Sequence, residues 1–189
     1  MGFLKRLLGG TGPSLSLSRA IKAVALDDKP STRRALYESL LKSTLLIATV
    51  VPEADAQAQP AVPSADKRVV YPVTLKNDQG QTAWLAFTDA DSFAAWKAAD
   101  PRSERCSCAD VPGPVLFRSA QENGLDEIVV NLAGPTTSGG LSRGEIELLA
   151  QGMDAVVSRF GRPEVVPLGT TVVVGPPAKW PSAEFLSII

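Results

Sequence analysis

The chain contains no histidine. That single absence excludes Ser-His-Asp and Cys-His nucleophiles and every imidazole metal site, so most hydrolase templates fail at once. Cysteine is nearly absent too. Cys106 and Cys108 are the only two, too tightly spaced for an easy bridge, which removes a disulfide framework and favours a reducing cytoplasm. As metal ligands they lack partners, because structural zinc wants four nitrogen or sulfur donors and even Glu104 and Asp110 would add only oxygens. Long apolar runs are missing as well. Residues 45–51 form the most apolar stretch, followed by a small-residue Ala54-Asp-Ala56 that mimics a cleavage site. It lies too far into the chain for a signal peptide and is too short to span a bilayer, so it reads as a buried strand. Charge of one sign is also lacking: 19 basic against 20 acidic residues give a formal net charge of -1. There is no electrostatic reason to expect a nucleic-acid partner, and the pairs Arg33-Arg34 and Lys67-Arg68 read as solvated surface.

What is present is enough for one globular domain: 189 residues, 44% apolar and 21% charged, able to bury a core without staples. Residues 1–14 stand apart as an N-terminal segment. Phe3, Leu4, Leu7 and Leu8 share one side of a short helix that Gly9-Gly10 would end. Two uses are open to it, packing on its own domain or a weak membrane-surface contact through residues 1–10, and two basic residues add little lipid affinity. From residue 15 onward the chain reads as a single domain. A helix over 18–26 stops at Asp27-Asp28-Lys29-Pro30, and a second, capped by Ser31 or Thr32, carries Ala35, Leu36, Leu40 and Leu41 as its apolar stripe. The strand over 45–51 follows. Residues 53–66, rich in Ala, Gln and Pro, read as a flexible surface loop.

Strand-like runs at 69–75 and 82–87 flank Asn77-Asp78-Gln79-Gly80, a hairpin signature, with Pro72 suggesting an edge. Thr88 with Asp91 resembles a capping box for a helix presenting Phe93 and Trp96. A strand at 106–111, a helix from about 112 to 122 closed by Asn123-Gly124, and a central strand at 128–132 come next. Residues 134–140 read as a glycine loop. Ser142 with Glu145 is a capping box for a helix carrying Ile146, Leu149, Met153, Val156 and Phe160, which Gly152 breaks or bends. A strand at 171–174, a turn at 175–177 and a terminal helix over 182–189 complete the reading. The expected fold class is α+β, a mixed and mostly antiparallel sheet with flanking helices.

Chemistry-bearing motifs are few. Asp89 with Asp91 and Asp126 with Glu127 are carboxylate pairs that can in principle do acid and base work, but they sit at a helix start and a strand entry, where capping and solvation explain them. Gly134 and Gly139 have the spacing of a Walker loop. Gly140 and Leu141 stand where its Lys and Ser or Thr belong, so nucleotide hydrolysis loses both cation and magnesium ligand. A weaker possibility survives, in which Gly139, Gly140, Ser142 and Arg143 bind a small anion at the helix N-terminus. No catalytic residue, cofactor or metal site is expected.

Trp84-Leu-Ala-Phe-Thr88 before a helix with Trp96, and Ile128-Val-Val-Asn131-Leu-Ala-Gly134-Pro135 leading through Leu141-Ser142 to residues 145–149, resemble the SseB N-terminal domain family. Residues 40–43, Gly175-Pro-Pro177 and Trp180-Pro181 extend the likeness over residues 15–189. The resemblance implies a bacterial α/β domain with no established enzymatic mechanism, and it brings no catalytic residues. Some members carry a second, C-terminal domain, and the expectation is that this chain stops before one. The expectation is a non-catalytic interaction, adaptor or regulatory module with a protein partner; the alternative is a small-ligand or anion sensor using residues 134–143.

Overall fold

The computed structural model describes residues 13–50, 60–133, 137–160 and 187–188. Two helices open it, α1 (Pro13–Leu26) and α2 (Pro30–Lys42), followed by β1 (Thr44–Val50). Pro30 does not merely stop α1: it is the first residue of α2, where its missing N–H costs nothing. Thr32 caps from inside the helix, its hydroxyl oxygen accepting the Lys29 N–H at 3.0 Å and donating to the Asp27 carbonyl at 2.7 Å. On α2 the stripe that packs inward is Leu36, Tyr37, Leu40 and Leu41; Ala35 is exposed, so the face is turned toward the tyrosine.

Residues 53–66 are not wholly loop, because Val62–Pro63 form β2 on β3 (Val69–Pro72) and Val62 is fully buried. A lone valine among Ala and Pro gives no periodicity, which is why composition missed it. The chain then bends at Val73. Before the bend Tyr71 and Pro72 pair with β1; beyond it β4 (Thr74–Lys76) pairs with β5 (Thr82–Phe87) across the Asn77–Gly80 turn. Pro72 therefore marks the end of a strand and a change of neighbour. Gly80, at φ +80°, takes a backbone conformation other residues resist.

Helix α3 (Ala90–Ala99) is capped by Asp89, which accepts the Ser92 N–H at 2.8 Å, one residue later than the Thr88 cap that spacing suggests. A 3-10 turn (Pro101–Arg105), β6 (Ser107–Pro112), α4 (Gly113–Glu122) and β7 (Glu127–Val130) follow. Gly139–Ser142 form β8, so the glycine loop ends earlier than its composition implies. The helix expected after it, with a break or bend at Gly152, is broken there into α5 (Arg143–Ala150) and α6 (Met153–Phe160), Gly152 standing at φ +91°. Ser187–Ile188 form β9 beside β4, so the described part of the expected terminal helix is strand. The strand expected at 171–174, the turn at 175–177 and the helix within 1–10 lie outside the described residues.

The sheet runs β6-β1-β5-β7-β8 through its centre, with β3 and β4 pairing the diverging ends of β1 and β5. Only β5 and β7 are parallel among the described pairs, which makes the sheet mixed and mostly antiparallel. Strict alternation divides its side chains. Leu45, Ile47, Trp84, Ala86, Ile128 and Val130 join α1, α2, α4, α5 and α6 in the larger core, while Ala48, Leu85, Phe87 and Val129 meet Trp96 of α3 on the other face. The result is a single α+β domain with a sheet buried on both faces.

Candidate functional site

The four residues singled out for anion binding, Gly139, Gly140, Ser142 and Arg143, lie together along β8 and the first turn of α5. They form an edge. β8 pairs with β7 through Val130 and Gly139, Val129 and Gly140, Ile128 and Leu141, and Glu127 and Ser142, and has no other strand neighbour among the described residues. Leu141 anchors the strand in the core. A Cβ at Gly140 would stand 2.1 Å from Glu127 Oε1, so a larger residue there would push aside the end of the flexible Glu127 side chain, which lies across the strand.

Where β8 becomes α5, the capping box is present. The Ser142 N–H and Oγ–H both donate to Glu145 Oε2, at 2.9 and 2.7 Å. The other oxygen of Glu145 accepts from Tyr37 Oη at 2.5 Å and Arg33 Nη1 at 2.9 Å, tying α5 to α2. Arg33 also grips Asp28, which holds that carboxyl below its ordinary value chiefly through the hydrogen bond. Burial, reinforced by the Glu145 hydrogen bond, pushes the Tyr37 phenol above its ordinary value. Arg143 points its Nη2 to Gly124 O at 2.9 Å and Asp126 Oδ1 at 2.8 Å, closing the turn between α4 and β7. Glu127 is half-buried, and desolvation, with the charge of Glu145 second, raises its pKa. An incoming phosphate would meet two carboxylates here and a helix start already filled by Glu145. The local field suits backbone pairing better than anion capture.

A second polar cluster sits at the carboxyl ends of the parallel strands β5 and β7. Asn131, fully buried at φ +58°, accepts the Thr88 N–H at 2.9 Å and donates from Nδ2 to Thr88 Oγ1 at 3.1 Å. Thr88 Oγ1 donates to Asp89 Oδ2 at 2.7 Å, and Ser138 Oγ donates to the Asn131 carbonyl at 2.6 Å. Its groups satisfy one another and clip the two strands together. Motif reading passed over this clip; its signal is one amide inside the apolar run 128–132. Of the carboxylate pairs, Asp89 is a cap, Asp91 is exposed, and Asp126 accepts from the Thr82 N–H at 2.9 Å. Cys106 and Cys108 are free, and burial raises both thiols. No group of three or more potential metal ligands occurs among the described residues.

Beyond β8, α5 and α6 bound a shallow groove of about 410 Å³, into which Gly144, Leu148 and Ala155 contribute along with Glu147, Gln151 and Arg159. The model of the SseB protein N-terminal domain matches residues 17–139. The chain belongs to that family. The matched segment runs from α1 to the first residue of β8 and includes the Thr88–Asn131 clip; the resemblance noted at 141–149 and 175–181 lies past it. No curated protein and no solved structure matches the chain. No helix among the described residues is long and apolar enough to cross a membrane.

Proposed function

We propose that this SseB-family domain is a non-catalytic interaction module of the bacterial cytoplasm that takes an extended segment of a protein partner along the open edge of β8. The observation that carries the reading is the edge itself. β8 has one strand neighbour among the described residues, and its sequence, Gly139-Gly140-Leu141-Ser142, has no charge or proline to discourage pairing. Main-chain bonds along such an edge supply affinity without any catalytic group. The polar clusters elsewhere support the same view, because their hydrogen bonds are spent on capping and on joining elements. The anion-sensor alternative gains nothing from the pair Glu127 and Glu145 facing the same helix start.

The test is crosslinked capture of the intact tagged chain from its native host, beside a Gly139→Lys variant. A Cβ at Gly139 meets nothing within 4 Å, so the lysine changes the edge without disturbing the fold. The expected outcome is a stoichiometric partner held by the native chain and lost by the variant. Equal capture by both would remove the edge from the mechanism.

A further inference from the structure

We infer that Asn123 is a site of slow covalent modification, a deamidation centre built into the turn between α4 and β7, and that the Arg143 side chain sets its rate. Three asparagines occur in the chain, and Asn123 is the one followed by glycine. It is exposed, as is Gly124. Asn131, by contrast, is fully buried and precedes Leu132, and Asn77 precedes Asp78 with its Oδ1 accepting the N–H groups of Gln79 and Gln81. Glycine at 124 follows from the way α4 ends. The Leu125 N–H donates to Ala120 O and the Gly124 N–H to Gln121 O, both at 3.0 Å, and this closure puts Gly124 at φ +66°, where a side chain is strained. The helix stop therefore leaves the Gly124 nitrogen with no Cβ of its own to shield it from the Asn123 carboxamide.

The reaction consumes one water and releases one ammonia. The Gly124 nitrogen bonds to Asn123 Cγ, the Cγ–Nδ2 bond breaks, and the Gly124 amide proton leaves with Nδ2 as ammonia, closing a cyclic imide. Water then adds to either imide carbonyl, the C–N bond there breaks with the nitrogen regaining a proton, and the new acid ionises, giving aspartate or an isoaspartate whose main chain runs through Cγ. In the folded chain the geometry holds this chemistry back. Ring closure needs the Gly124 nitrogen eclipsed with Asn123 Cβ, whereas ψ at Asn123 is 4°, the Gly124 N–H is engaged by Gln121 O, and Nδ2 donates to Ser119 O at 2.8 Å. Modification thus requires the turn to open locally. Its fastener from α5 is Arg143, whose Nη2 holds Gly124 O at 2.9 Å and Asp126 Oδ1 at 2.8 Å. Either product bears on this turn: a carboxylate at 123 stands at the C-terminal end of α4, where the helix dipole opposes it, and isoaspartate adds a backbone carbon to the turn that Arg143 closes.

The intact chain is incubated at pH 8, beside a sample unfolded in guanidinium chloride, and the peptide containing residue 123 is followed by mass spectrometry for the one-dalton gain, with isoaspartate resolved by chromatography. Asn123 is expected to convert in the folded chain while Asn77 and Asn131 stay intact, and to convert faster when unfolded. Arg143→Gln, at an exposed position, should accelerate conversion in the folded chain by about two- to fivefold, the range that an exposed charged contact contributes, and leave the unfolded rate unchanged. Arg143→Lys, which keeps the charge without the planar fork, should give a smaller acceleration and carries the test should the glutamine variant fail to fold. Folded variants that convert at the native rate would remove Arg143 from the account, and conversion at Asn123 no faster than at Asn77 or Asn131 would overturn the site itself.

Discussion

A methyl group added at Gly113 should be among the most damaging single changes in the domain. Gly113 opens α4 against the end of α2: its N–H donates to Ser43 O at 2.9 Å, and a Cβ would stand 2.1 Å from Leu40 O, 3.1 Å from Leu40 C and 3.3 Å from Ser43 O. All three obstacles are backbone, so no rotamer change relieves them. The helix start must retreat by about 1 Å to restore a normal carbon–oxygen contact near 3.3 Å. That retreat strains the hydrogen bond, worth about 1 kcal/mol, and disturbs the packing of fully buried Leu116 and Phe117 one turn on, where overpacking costs about 1–3 kcal/mol. Together Gly113→Ala should lose roughly 2–4 kcal/mol. At about 2–4 °C per kcal/mol for a chain of this size, that is a Tm drop on the order of 5–15 °C. Urea unfolding followed by tryptophan fluorescence and a thermal scan by circular dichroism measure it. A loss below about 0.5 kcal/mol, the range of unremarkable surface changes, would refute the argument that this helix start is fixed by backbone contact.

The opposite sign is expected at Gly144, in the first turn of α5 with open space around its Cβ: Gly144→Ala should stabilise by about 0.5–1 kcal/mol through helix propensity, read in the same unfolding assay. Tyr37→Phe removes the hydroxyl that donates to Glu145 at 2.5 Å and should cost about 1 kcal/mol, while Glu145→Ala, which also strips the Ser142 cap and the Arg33 pair, should cost about 2 kcal/mol or more. Alkylation of Cys106 and Cys108 by iodoacetamide at pH 8 should be several-fold slower in the folded chain than in urea, because burial raises both thiols; equal rates would contradict the burial.

The larger part of the fold was legible because its signals are local and repeated. Ile128, Val129 and Val130 are apolar on successive positions because their strand is covered on both sides, and the heptad-like run from Ile146 to Phe160 announced both a helix and, at Gly152, its break. What escaped has no period to read. Val62 is buried because β3 lies beside it, a contact set by residues 69 and 70, and the surrounding Ala and Pro give no warning. The three-residue spacing from Thr88 to Asp91 predicts a Thr88 cap; Asp89 caps instead, because Asn131, distant in sequence, engages both the N–H and the hydroxyl of Thr88. The candidate site shows the same division. Ser142 and Glu145 were found by spacing, whereas the partners of Glu145's second oxygen, Tyr37 and Arg33, come from a helix more than 100 residues earlier.

That long-range convergence also explains why a loop composed like an anion site became an edge strand, and it yields a prediction of definite sign. Glycines followed by a capped helix are the local recipe for binding phosphate, but the recipe takes no account of what the neighbouring strand brings. Here β7 brings Glu127 across Gly140, and the cap itself is a carboxylate. Because burial and then Glu145 raise Glu127 above the ordinary glutamate value of 4.5, the folded chain holds this proton more tightly than the unfolded chain. Stability then falls as pH rises from the ordinary value through the raised one, the reverse of a salt-bridged carboxylate. Glu127→Gln removes the titration, so its stability at pH 7 should equal or exceed the native chain's, and its advantage should shrink as pH falls toward 4. Urea midpoints measured from pH 4 to pH 8 decide the matter. An advantage that grows toward acid pH would mean that Glu127 is held as a favourable anion, and the first turn of α5 would again be open to the ligand its glycines suggest.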